Sequence, residues 1–155
     1  MSVMSGIGLK RLQHLVLWVS DVDRSVRFYC DVLGFEVKAR YPNAAFLRIA
    51  GSSEDHHLGL FEQPGVTGPD EGAVRMYHSA WEVGELPDLA RARRRLIVAR
   101  SLVGSSHPGE SLSIYSKYPD VLEFEVFWTV PGGTPVGTRA LDLDRELSRR
   151  GHVLA

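Results

Sequence analysis

Five of the six histidines, His14, His56, His57, His78 and His107, lie in or beside stretches with strand character, and only His152 falls in the tail. A lone strand histidine is usually a hydrogen-bonded structural residue. Repetition changes that reading. His14 and His78 are 78 − 14 = 64 residues apart, and laying the chain on itself at that offset matches Val19 with Val83, Asp21 with Glu85, Val22 with Leu86 and Leu33 with Ile97. Equivalent histidines on equivalent strands meet when two copies of one unit close on each other. A carboxylate near the end of the last strand would complete two imidazoles and one oxygen and leave positions open for substrate, the facial donor set of non-haem Fe(II) chemistry. Glu125 is the candidate, although Glu123 shares its face at period 2 and parity does not choose between them. With a single cysteine, Cys30, any metal must be held by His and carboxylate side chains.

The elements that would position these residues follow from periodicity. Leu12 to Val19 is apolar on alternating positions and reads as a strand, with His14 on the face of Leu12, Val16 and Trp18. Ser20 to Gly34 begins with a Ser-Asp cap, carries Val22, Val26, Tyr29 and Leu33 at helical spacing, and stops at Gly34. Strand-like runs follow at Phe35 to Tyr41, Ala44 to Ala50 and His56 to Phe61. After a Gly- and Pro-rich linker the order repeats: strand Arg75 to Val83, helix Glu85 to Arg100, then strands at Ser101 to Val103, Ser111 to Tyr115 and Leu122 to Trp128. The expected class is α+β, two βαβββ modules sharing one concave surface. Its boundaries are a tail over 1–10, a first module over 11–63, a linker over 64–74, a second module over 75–128, and a C-terminal extension over 129–155. Within the extension, Ala140 to Arg150 is expected to be helical.

Composition narrows the function classes. The chain has 155 residues, with 18 Lys plus Arg against 19 Asp plus Glu, a formal net charge of −1. No global field draws a polyanion, so a nucleic-acid binder is not expected. The basic run Ala90 to Arg100 reads as a solvated helix face with Leu89, Leu96 and Ile97 inward. No stretch approaches the roughly 20 apolar residues of a membrane span, and no signal core opens the chain, so a cytoplasmic protein without a membrane partner is expected. Cys30 reads as a small packed residue.

The paired βαβββ halves, the opening LQHLVLWVSDVDRSVRFYCDVLGFEV and the series His14, His78, Glu125 resemble the vicinal oxygen chelate (glyoxalase/bleomycin resistance/dioxygenase) superfamily, over roughly residues 11 to 128. That resemblance implies modules closing an incomplete barrel around a metal held by His14, His78 and Glu125. Within the superfamily, the segment from His107 through Tyr115 and Pro119 to Glu125 is most like the type I extradiol ring-cleaving dioxygenases. The interval 125 − 115 = 10 matches that group and selects Glu125 over Glu123. His56-HLGLF resembles the segment that holds their acid–base histidine, with His57 where an Asp often stands.

The resemblance therefore implies His56 as acid–base group, and His107 and Tyr115 as groups orienting a catecholate. The metal implied is Fe(II), alternatively Mn(II) or another divalent ion. The partners implied are a small aromatic diol and O2, and a second copy of the chain as a homodimer. Three positions depart from the pattern: Ser105 where a small apolar residue or Gly, Asn or Thr is usual, Tyr118 for the acidic residue before Pro119, and Val121 for the turn Gly. The last two are expected to reshape a hairpin. The alternatives are a glyoxalase- or epimerase-like lyase or isomerase of the same fold, with Glu62 as a fourth ligand in place of His56, and a non-catalytic resistance-type binding protein.

Overall fold

β-Branched and aromatic residues on alternating positions build two four-stranded sheets; in each, a helix carries the chain from the first strand to the far edge, and the last strand returns beside the first. The computed structural model describes residues 6–153. Strand β1 (Leu15–Val19) leads to α1 (Val22–Arg27), which continues as a π-helical turn over Phe28–Val32. Then come β2 (Phe35–Tyr41), β3 (Ala44–Ile49) and β4 (Leu58–Glu62). The second set is β5 (Ser79–Glu82), α2 (Leu86–Val98), β6 (Leu102–Ser106), β7 (Ser111–Lys117) and β8 (Glu123–Thr129), and α3 (Leu143–Arg149) follows.

The sheet orders are β1-β4-β3-β2 and β5-β8-β7-β6, with β1–β4 and β5–β8 parallel and the other pairs antiparallel. The two halves thus have one topology. The 64-residue offset holds at atomic detail: Asp21 and Glu85 are the N-cap residues of α1 and α2, and Val22 and Leu86 behind them are both buried. No strand pair joins the sheets among the described residues, so they stand as two modules and not as a closed barrel.

One face of each sheet is covered by helices. Leu58, Leu60 and Leu47 from the first sheet and Leu112, Ile114 and Phe124 from the second are all fully buried, in one core with Leu86, Leu89 and Leu96 of α2. Ile97 departs from the inward position expected for it and is half exposed, because α2 turns only the Leu89 and Leu96 stripe to the sheet. The basic face of α2 is solvated and paired outward, Arg91 with Asp88 and Arg93 with Asp144.

The junction between modules is aromatic. Tyr118 stacks on Phe124 at 4.1 Å, meets Tyr29 at 4.5 Å and Phe28 at 5.6 Å, and its hydroxyl accepts from Trp81 Nε1 at 2.9 Å. Tyr118, expected only to reshape a turn, is therefore a core residue tying the second sheet to the first helix, and burial pushes its phenol up to about 12. The same hairpin docks through Asp120, which accepts from the Ser20 backbone and hydroxyl and pairs with Arg24. Cys30 is half-buried, and its thiol is pushed up by burial and then by Asp31, consistent with a packed residue.

The segment after β8 returns along the second sheet. Arg139 pairs with His107 in an isolated bridge, and α3 buries Leu143 and Leu147. No described helix is long and apolar enough to cross a membrane.

Candidate metal and substrate site

The faces turned away from the helices carry the candidate residues. In the second sheet, Ala80 pairs with Glu125, Glu125 with Tyr115 and Tyr115 with Gly104, so these four form one row across β5, β8, β7 and β6. Cross-strand partners share a face, so Glu125 and Tyr115 project together while Phe124 and Val126 turn into the core. Glu123 shares the open face but lies one pleat away, opposite Lys117.

His78 immediately precedes β5. Its Nε2 stands 3.2 Å from Glu125 Oε2, and its ring centre is 5.9 Å from that of Tyr115. Its Nδ1 is buried without a hydrogen-bond partner among the described residues.

The first sheet presents a second pair. His14, just before β1, lies tilted against His56 with ring centres 4.6 Å apart, and His56 is edge-on to Phe46 at 5.0 Å. Asp55 Oδ2 accepts from His56 Nδ1–H at 2.7 Å, and that contact holds the Asp55 carboxyl below its ordinary value. With Nδ1 directed at Asp55, the Nε2 of His56 is left for other work. Asp55 was not singled out in the sequence; an acid immediately before a candidate histidine was the available signal. His14 is exposed, with Nδ1 2.8 Å from the Gln13 amide oxygen. All three histidines lie just outside the regular strands, where backbone constraint is weaker than within the ladders.

His14 and His78 line one cavity of about 470 Å³ with Leu12, Met76, Ala80 and Trp81. His57 is also on its wall, but its Nδ1 accepts from the Ile49 backbone N–H at 3.2 Å and so belongs to the β3–β4 connection. Another cavity, about 350 Å³ between the π-helical turn and α2, has Arg91 and Arg95 on its rim and contains none of the candidate histidines.

His107 is placed differently from the other candidates. Ser106 faces Tyr115, so alternation turns His107 to the helix-covered side. There it is buried, its Nδ1 accepts from Gly109 N–H at 3.1 Å, and its Nε2 lies 3.1 Å from the Arg139 guanidinium. Burial, then the charge of Arg139, holds its pKa below the ordinary imidazole value. The structure thus brings together His78, Glu125 and Tyr115, and separately His14 and His56, and sets His107 with the C-terminal extension.

Glu62, the alternative ligand, is at the far end of β4 in register with Val19, and its Oε2 accepts from Val22 N–H at 2.9 Å. It supplements the N-terminus of α1, whose cap Asp21 accepts from Arg24 N–H at 2.8 Å.

Imidazole and carboxylate donors about 2.1 Å from one divalent ion and at right angles to each other lie roughly 3 Å apart. The separation of His78 Nε2 from Glu125 Oε2 suits two adjacent positions on such an ion, and an imidazole beside a carboxylate is a donor pair of the right chemistry. His14 borders the same cavity. Among the described residues no three His, Cys, Asp or Glu side chains converge, so a complete donor set requires the His14 ring to move towards His78 and Glu125; the Nδ1 contact with Gln13 leaves its Nε2 available.

A mixed sheet-and-helix module repeated once, with imidazole and carboxylate donors at matching ends of its sheets, defines a class of two-module, cleft-bearing proteins. Residues 11–101, more than half of the chain, match the family model described as the Glyoxalase/Bleomycin resistance protein/Dioxygenase superfamily, and the chain belongs to that superfamily.

The chain is 28% identical over 145 residues to a catechol-2,3-dioxygenase of Bacillus subtilis, covering 87% of this chain and 50% of that protein. It is 27% identical over 126 residues to a manganese-dependent 2,3-dihydroxybiphenyl 1,2-dioxygenase of Geobacillus genomosp. 3, covering 79% and 38%. A lactoylglutathione lyase of Arabidopsis thaliana is 28% identical over 150 residues, covering 89% and 52%. The chain spans about half the length, or less, of these relatives. Among solved structures, a glyoxalase/dioxygenase from Nostoc punctiforme superposes with a TM-score of 0.67 at 22% identity, covering 84% of this chain and 98% of that one, which shows the shared fold.

Proposed function

We propose that this protein is a divalent-metal-dependent dioxygenase of the extradiol type, cleaving a catechol-like ring next to its paired hydroxyls. The observation that carries this reading is what the first module contributes near His14: an imidazole, His56, with its ring centre 4.6 Å away, and not the carboxylate of Glu62, which is taken up by the N-terminus of α1. A proton-transferring imidazole beside the donors suits ring cleavage, whereas a fourth carboxylate ligand suits the isomerases and lyases of this fold. Similarity to dioxygenases over most of the chain supports the same reading.

His14, His78 and Glu125 would hold the metal, Fe(II) or alternatively Mn(II). When bound, it supplies positive charge that makes two neighbouring substrate hydroxyls more acidic, and it leaves positions for the diol and O2. His56, with Nδ1 directed at Asp55, takes a hydroxyl proton at Nε2 and later returns it. Tyr115 directs its phenol at a substrate oxygen beside Glu125 and orients the ring. The exposed aromatic surface around Trp18 and Phe61, 6.0 Å apart, continues the open face beyond His14 and suits a planar apolar substrate. Both atoms of O2 enter the product and the ring supplies the electrons, so no external reductant is needed. His107, turned to the other face, anchors the extension in this reading. The homodimer implied by the resemblance belongs to the same proposal, and sedimentation equilibrium checks it.

The test is oxygen uptake by protein loaded anaerobically with Fe(II) or Mn(II) and mixed with a catechol panel, while absorbance follows the ring-opened product. Uptake matched by product, and lost in His14→Ala, is the expected result. Turnover of a non-aromatic substrate without oxygen uptake, together with loss of metal in Glu62→Gln, would replace it with the lyase or isomerase reading.

A further inference from the structure

We propose that Ser106 is a positioning residue for Tyr115, holding its phenol so that the phenol proton is presented to a substrate oxygen beside Glu125. The inference rests on the ring-cleavage reading and adds to it a residue that the motif comparison passes over.

In β6, Ser106 pairs with Ser113 and Gly104 with Tyr115, so Ser106 and Tyr115 share the open face. Ser106 Oγ is 2.9 Å from Tyr115 Oη, and Ser106 is only 8% exposed, so water does not freely replace this contact. Gly104, directly opposite Tyr115, offers no side chain to steady the ring; even a built Cβ would reach no closer than 4.0 Å to its Cδ2. The phenol end is therefore held by the serine hydroxyl.

Either hydroxyl can donate in the free protein, since each has one proton and accepting lone pairs. When a substrate oxygen accepts from Tyr115, Ser106 is left to donate to Tyr115 Oη, and the two hydrogen bonds polarise each other. The partner imidazole that the family pattern would supply from His107 lies on the other face, bonded to Gly109 and beside Arg139. Ser106 is the neighbour that fills the open side.

The experiment uses the full chain carrying 3-fluorotyrosine, with the Tyr115 fluorine signal assigned by its absence in Tyr115→Phe. In metal-free protein, Ser106→Ala is expected to move that signal towards the exposed tyrosines, and Ser106→Thr, which keeps the hydroxyl, to restore it. In metal-loaded protein, Ser106→Ala should lower kcat on catechol about tenfold, the usual scale for one hydrogen bond to a reacting system, with KM changed less than twofold. Ser106→Thr should recover most of that loss, and Ser106→Ala should cost little more in a Tyr115→Phe background.

An active wild type in which Ser106→Ala leaves the fluorine signal or kcat unchanged overturns the assignment alone, as does a loss that simply adds to that of Tyr115→Phe. No turnover of any catechol by wild type overturns the ring-cleavage reading, and the assignment with it, whatever the fluorine signal does.

Discussion

Glu62 and Glu125 are both carboxylates on strands, yet their surroundings give them different work. Glu125 faces His78 Nε2 at 3.2 Å, and Glu62 accepts from a helix N-terminus at 2.9 Å. Glu125→Gln should therefore abolish stoichiometric metal binding, read by elemental analysis after dialysis, and lower oxygen uptake by more than about 100-fold. Glu62→Ala should keep the metal and lower stability by about 1 kcal/mol, the ordinary value of a helix-terminal contact, measured by urea unfolding. Val121 offers a separate test, because it sits at φ 65, the left-handed region where a β-branched residue is strained. Being half exposed, it gives up little burial, so Val121→Gly should raise stability by about 1 kcal/mol and Tm by roughly 3 °C in calorimetry.

At the level of elements, the C-terminal helix is held by charged groups that respond to pH. Glu146 is buried against Arg149 and Arg150; burial pushes its carboxyl up, but the Arg150 hydrogen bond and the two guanidinium charges outweigh it and leave the value lowered. His107, beside Arg139, also has a folded value below its ordinary 6.5. For His107 the unfolded chain takes up its proton first, so the stability it contributes is full above pH 6.5 and declines as pH falls below it. Glu146 adds a second loss below its ordinary 4.5. Acidification from pH 8 to 5.5 should therefore lower the amide protection factors in 143–149, with exchange rates corrected for their intrinsic pH dependence, before the sheets respond. His107→Asn, whose side-chain oxygen can still accept from Gly109, should remove the part of that response lying between pH 6.5 and 5.5, as read by exchange mass spectrometry.

For the whole molecule, the aromatic junction is expected to make the modules one cooperative unit. Phe28 and Tyr29 of the first module pack on Tyr118 and Phe124 of the second, and Phe35 meets Trp81 at 5.3 Å. Removing the fully buried Phe124 ring should cost about 3–5 kcal/mol. Phe124→Ala should lower protection in β1–β4 and β5–β8 alike, in a single thermal transition. Exchange that rises only in the second sheet would show that the modules unfold separately.

Much of this architecture is legible from local pattern. The 64-residue repeat is read from cap, apolar stripe and strand order, and those are short-range features: Asp21 and Glu85 start equivalent helices, and Val22 and Leu86 bury equivalent positions. The choice of Glu125 over Glu123 comes from the family resemblance and its ten-residue interval, since alternation alone leaves both on one face; the β7–β8 register sets Tyr115 directly opposite Glu125. What alternation along β6 could not tell was which of two successive residues faces the site. Pairing with β7 decided it, giving Ser106 to Tyr115 and His107 to the extension.

The role of Tyr118 was hidden for a similar reason, since its partners Tyr29 and Trp81 are distant in sequence and meet only when the modules pack. The sequence by itself determined the repeated units and the donor types, through periodicity and side-chain chemistry. The tertiary structure decided which donors meet and which are occupied elsewhere. Those outcomes depend on register between strands and on packing between modules, interactions that no local pattern encodes.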